Sequence, residues 1–427
     1  MFWYYLISLI PLYLLVRNHR EFGWYTAYFI FNWVLVSASV LVSSLVSADL
    51  VELGTVAASN FAAVAFNLSL AFNLFFAAFT YQKLRIVGVK APRCPRTTTV
   101  RLERRLFGAL VVGTAIIAMM SLLPTPPVIT GMPVSKFLAT LNAVQRFSFI
   151  SLAIAALPLS SLARGKFLSG RWRAVPTALT SLLPAIVWVL AGEKMGYLLF
   201  ILFCTALPWV QTPPKSHRLK VYVAIAGLAS LLLTILQYAF RDDNPLLLLG
   251  ARAAMQGQLW HYFYLEAPVS QSFDFGIRLL LGLGGTDSIR TMMEIAMPAN
   301  LFLEYETATM TGSHMPALLL GVGWVYFPIA LALSGALFGL ATTLVRLALQ
   351  TDYLLMSYLI VACFVFPGVE IWVGGNFSRL VTLPPTFLLL TIACVPLVLS
   401  RIKLRINRAR CIPPHCSGLV LDANPKI

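Results

Sequence analysis

Blocks of about 20 consecutive apolar residues, long enough to cross a bilayer's hydrocarbon core as a helix, recur along the whole chain. They lie near 2–16, 24–46, 55–80, 106–123, 147–162, 175–191, 195–210, 221–240, 316–345, 353–373 and 381–399. The pattern predicts an all-α polytopic membrane protein of about eleven spans, forming one integral membrane domain over 1–427. Residues 2–16 are apolar from the start, with no basic leader or small-residue cleavage site, and are expected as the first span, not a cleaved signal. Most connections are short. The segment 124–146 is Pro-rich and then turns helical around 136–146. The segment 241–313 is a long loop, and loops of that length inside compact proteins usually carry function.

Composition agrees, with 59% hydrophobic and 11% charged residues against about 25% charged in a soluble domain. A formal net charge of +16 would point to nucleic acid in a soluble chain; here its distribution matters more. Segments 17–21, 81–105, 164–173, 211–220, 346–352 and 401–427 hold 24 of the 32 Lys and Arg residues, including the basic tail 401–427. These alternate correctly with the spans, so the positive-inside rule puts them on the cytoplasmic side, with the N-terminus outside and no nucleic-acid partner. None of the six cysteines falls in an outer loop, so no disulfide framework is expected. Cys411, His415 and Cys416 lie in the tail and are read as tail residues, not as a metal site.

The outer face then carries only Lys136, Arg146, Lys194, Arg241, Arg252, Arg278, Arg290 and Arg379 as cations. Lys194 stands in Gly192-Glu193-Lys194-Met195, between two apolar runs, where a charge is retained for a partner, a wet cavity or a charged substrate. The bland alternative is a boundary ion pair with Glu193, although adjacent helical residues do not face each other; Glu193 is also a candidate base. Arg252 comes from an apolar helical stretch, and its five-donor fork suits phosphate or pyrophosphate. Snorkelling to headgroups explains Arg252 equally simply, and Arg278 and Arg290 more so. The stretch 246–265 reads as a helix along the membrane interface, with Trp260, Tyr262 and Tyr264 at headgroup level. His314 opens the ninth span, where an imidazole can take a proton from a hydroxyl or simply serve as a polar cap. No metal-ligand cluster and no cofactor motif is seen.

Three features in order resemble the O-antigen polymerase (Wzy) and O-antigen ligase superfamily. They are Gly192-Glu193-Lys194 opening a span, Arg252 upstream of Trp260 on the large loop, and His314 followed by Gly321 and Gly323. The resemblance covers roughly 175–345. It implies a bacterial inner-membrane, glycosyltransferase-C-like enzyme whose 241–313 loop and active site face the periplasm. Such an enzyme transfers a glycan from undecaprenyl pyrophosphate to an acceptor hydroxyl, without a metal and with inversion. By the same resemblance His314 is the general base, and Lys194 and Arg252 hold the pyrophosphate. Lys194 replaces the Arg common in ligases, and Pro316 stands where ligases have a polar neighbour; both departures favour a polymerase. The expected partners are an undecaprenyl-pyrophosphate-linked oligosaccharide, membrane lipid and a chain-length regulator. A ligase acting on lipid A core and a non-enzymatic transporter or flippase of lipid-linked sugars stay open as alternatives.

Overall fold

The computed structural model describes residues 60–86, 97–123, 125–132, 134–193, 196–211, 257–265, 288–296, 313–350 and 353–368. It adds single positions at 10, 32, 33, 36, 37, 40, 276, 278–280 and 371. The chain divides into two compact units, Met1–Leu383 and Pro384–Ile427, and every described residue lies in the first. Among the described residues all regular structure is helical. The main helices are α1 (Asn60–Ile86), α2 (Thr97–Ser121), α3 (Pro127–Thr130), α4 (Val134–Thr140), α5 (Ala143–Leu168), α6 (Ala174–Leu190) and α7 (Gly196–Gln211). They continue with α8 (Ser288–Ala296), α9 (His314–Gln350) and α10 (Leu354–Ile360), which runs on through a π-helical turn, Val361–Val365. Asn60–Arg85, Leu102–Ser121, Ala143–Leu168 and His314–Gln350 are long and apolar enough to cross a membrane; Ala174–Leu190, Phe200–Trp209 and Leu354–Gly368 are shorter apolar helices.

The longest helices are apolar on most sides, so their faces differ in what covers them. On α1, Ala63, Phe66, Leu70, Leu74, Ala77 and Tyr81 are buried at helical spacing, while Phe61, Leu68, Phe72, Phe75 and Phe79 are exposed on another face. The α1–α9 packing is the most extensive between described helices. Cβ atoms built on Gly335 and Gly339 would collide with the Asn73 and Ala77 carbonyls. Two glycines four residues apart let two helix backbones touch, which is how helices associate where lipid is as apolar as leucine. Asn73 is buried at this contact and donates from Nδ2 to the Leu331 carbonyl, 3.0 Å away.

Helix α5 is the central post, buried at Phe149, Leu152, Ala153, Ile154, Ala155, Ala156 and Leu157 and packed against α2, α6, α7 and α10. Polar side chains inside this cluster bond to their neighbours, as a buried polar group must. Trp188 donates to the Phe149 carbonyl at 3.1 Å, Ser160 to the Thr205 carbonyl at 2.5 Å, and Trp209 to Ser160 Oγ at 3.0 Å. Ser151 Oγ and Tyr358 Oη lie 2.9 Å apart. The buried Glu103 of α2 accepts the Leu355 N–H, capping α10 from another helix.

These bonds fix the relative senses. Ala62 and Phe66 of α1 meet Trp260, which reaches Phe327, and Asn73 and Ala77 meet the later Gly335 and Gly339; α1 and α9 are parallel. Trp188 touches Tyr197 and Thr205 bonds Ser181, so α6 and α7 are antiparallel. Glu103 and Phe107 meet Leu355 and Tyr358 in that order, so α2 and α10 are parallel. The runs expected at 221–240 and 381–399, and all but a few positions of 2–16 and 24–46, lie outside the described residues.

The candidate site at the His314 end of the bundle

His314 is the first residue of α9 and is fully buried. Ser313 before it has φ 68°, a left-handed conformation costing a non-glycine residue about 1–2 kcal/mol. That turn lets Ser313 Oγ accept the Met315 N–H at 3.3 Å, an N-terminal cap. Pro316 falls in the first turn, where its missing N–H breaks no helical bond. Every residue from His314 to Gly321 is buried. Gly323 (φ 67°, ψ 172°) then leaves helical geometry, so α9 is two pieces: a short enclosed helix, 314–322, and a long one, 324–350. The single span expected at 316–345 is corrected to this broken one. Glycine is required because only it takes that φ without strain.

Residues of the segment 241–313, expected as the large loop, pack on the enclosed helix. A Cβ on Gly276 would overlap the Gly321 carbonyl, and a Cβ on Gly321 would lie 3.0–3.3 Å from the Leu280 side chain. Arg278 therefore belongs to a segment seated on the His314 helix, although its own side chain is exposed. Trp260, expected at the interface, is buried: it packs on Phe66 and Phe327 with centroids 5.3 and 6.1 Å away and donates to the Ala62 carbonyl at 2.6 Å. The physical reason is that an indole N–H buried among rings finds a backbone acceptor and becomes an anchor. Tyr262 likewise donates to the Ile295 carbonyl of α8, at 3.3 Å. His261 is fully buried with Nε2 3.4 Å from the Val36 carbonyl; burial pushes its imidazole down to about 4, and that hydrogen bond opposes the shift.

Glu193 follows the end of α6. Gly192, at φ 83°, donates to the Val189 carbonyl and Glu193 to the Trp188 carbonyl, both at 3.0 Å. This is a Schellman ending, so the glycine of the Gly-Glu-Lys element stops a helix. A Cβ on Gly192 would meet the Met132 carbonyl at 2.9 Å, which seats the Pro-rich loop on this turn. Glu193 itself is buried. The turn and His314 share one end of the bundle. Tyr197, at the start of α7, stacks on Trp188 at 4.4 Å and on Phe366 at 5.8 Å. Phe366 lies beyond the π-helical turn in the stretch Leu354–Gly368, and α10 returns along α9 after a connection of only a few residues.

Lys194 and Arg252 lie outside the described residues. Arg146, another cation expected on the outer face, caps α4: its Nε donates to the Leu141 carbonyl at 2.8 Å and a terminal nitrogen to the Ala139 carbonyl at 2.9 Å. Among the described residues no group of three His, Cys, Asp or Glu is placed to hold a metal. The chemistry available from these residues is thus an imidazole on an enclosed helix, a buried carboxyl group at a helix stop, and the stacked rings of Trp188, Tyr197 and Phe366 beside that stop. Sequence inspection missed the Gly323 break and Gly276, whose only signal was the glycine spacing Gly321-x-Gly323. No protein-family model, curated protein or solved structure matches this chain.

Proposed function

We propose that this chain is a multi-pass inner-membrane polymerase, with about eleven spans and a glycosyltransferase-C-like arrangement. It joins undecaprenyl-pyrophosphate-linked oligosaccharide repeat units into O-antigen, or a related surface polysaccharide, at the periplasmic face. The carrying observation is His314, buried on a helix that the large loop clamps through Gly276 and Leu280, at the bundle end that also holds the Glu193 turn.

In this proposal neutral His314 takes the proton of the acceptor hydroxyl as the new C–O bond forms at the anomeric carbon. The bond from that carbon to the pyrophosphate oxygen breaks with inversion, and undecaprenyl pyrophosphate leaves with the electron pair. Pyrophosphate is already a good leaving group, so the protein's main task there is to receive its charge, which falls to Lys194 and Arg252, with Arg278 as a further cation. Glu193 orients or shares protons with the acceptor. No metal or cofactor enters this scheme.

Purified protein in liposomes with a synthetic undecaprenyl-pyrophosphate repeat unit tests it. A polymerase produces a ladder of longer glycans without lipid A core. A ligase product that forms only when core is added would replace this proposal with the ligase. The break at Gly323 favours one further reading, because discontinuous helices line the sites of transporters. Movement of the lipid-linked sugar across the liposome without any ladder would favour that reading instead.

A further inference from the structure

The 37 residues of His314–Gln350 would make a helix of about 55 Å, nearly twice the hydrocarbon thickness of about 30 Å. The part beyond the Gly323 break fits better. From Trp324 to the half-buried Arg346 the rise is about 33 Å. Along that length Ile329, Leu333 and Leu337 are 59, 63 and 52% exposed, a continuous apolar stripe that only hydrocarbon covers comfortably. At the head of the stripe the exposed residues change to Trp324 and Tyr326, 44 and 58% exposed. The half-buried Tyr264 of the large loop sets its ring against Trp324 at 5.5 Å, edge to face. Rings with one apolar body and one polar tip partition to the headgroup layer. On α1, Phe61 to Lys83 spans the same length, and Ala62 and Phe327 are both joined to Trp260, so the two parallel helices enter at one level.

We propose that Trp324, Tyr326 and Tyr264 form an aromatic collar that docks on the phospholipid headgroup layer at the His314 end. The collar holds the Gly323 break at that depth and leaves 314–322, with the loop segments packed on it, on the aqueous side. His314 then sits within about 14 Å of the headgroup plane. The collar rests on the membrane-spanning character of α9 and not on any enzymatic activity.

Bimane attached at Val325→Cys and at Leu337→Cys, in a variant whose six native cysteines are replaced, reads the depth in phosphatidylcholine vesicles. Lipids spin-labelled at the headgroup should quench position 325 roughly twofold more than lipids labelled mid-chain, and position 337 should show the reverse order. Equal quenching at the two positions overturns the proposal. If the cysteine-free variant does not fold, the native-cysteine protein decides: the emission lost in Trp324→Phe must be the part quenched by headgroup-labelled lipid. Emission from Trp324 that such lipid leaves untouched, but that an added oligosaccharide changes, would overturn the collar in favour of a sugar-stacking surface.

Discussion

Gly276 and Gly323 are glycines for different reasons, and substitution separates them. A methyl group at Gly276 has nowhere to go, because the obstacle is the Gly321 backbone carbonyl and not a side chain that can rotate. At Gly323 the methyl group meets nothing within 4 Å, and only the φ of 67° resists it. With ψ at 172° that backbone region is essentially glycine's alone, so Gly323→Ala should cost about 1–3 kcal/mol, and Gly276→Ala about 3 kcal/mol or more through overpacking and backbone displacement. Melting temperatures in detergent rank the two, and a Gly276→Ala protein as stable as the parent would contradict the interlock. His261 makes a pH prediction. Its folded value near 4 lies below the usual 6.5 or so, so below neutral pH the unfolded chain binds the proton first. Stability should be full above about pH 6.5 and fall as pH drops towards 4, by on the order of 3 kcal/mol in total. His261→Gln should flatten that part of the profile in thermal melts from pH 7 to 4; an unchanged slope would contradict the assignment.

At the scale of elements, two contacts carry the architecture around the site. Gly339→Leu forces α1 away from α9 and should cost about 1–3 kcal/mol, read by unfolding in mixed micelles. Trp260→Ala removes a ring wedged between Phe66 and Phe327 together with its bond to the Ala62 carbonyl. Its cost should be about 3–5 kcal/mol, and protease should reach 257–265 sooner. Accessibility no greater than in the parent would contradict the anchoring role. Apolar runs located the helices well where a local stop signal coincides with the end of the run. The runs 175–191 and 195–210 became Ala174–Leu190 and Gly196–Gln211, since Gly192 ends the first. The run 55–80 overlaps Asn60–Ile86, and the helix continues through Lys83 and Arg85, past the end of the apolar run. The break at Gly323 was hidden because both sides of it are equally apolar. The burial of Trp260 was hidden because an interfacial ring and an interior anchor have the same local sequence.

For the whole molecule, the contacts set the helix senses: α1 parallel to α9, α6 antiparallel to α7, and α2 parallel to α10. The juxtaposition of ends was not legible. Nothing local in residues 192–193 announces that Tyr197 stacks on Phe366 and joins α7 to the α10 stretch. The division of labour among cations was also hidden, since Arg146 looks like any outer cation until its bonds to the Ala139 and Leu141 carbonyls are seen. The most direct test of the central claim is glycan elongation in liposomes by the parent protein and by His314→Ala at matched insertion. Loss of a general base should lower elongation by about 10²–10⁴-fold while the variant still inserts and binds the lipid-linked repeat unit. Elongation by His314→Ala at the parent's rate would contradict the account.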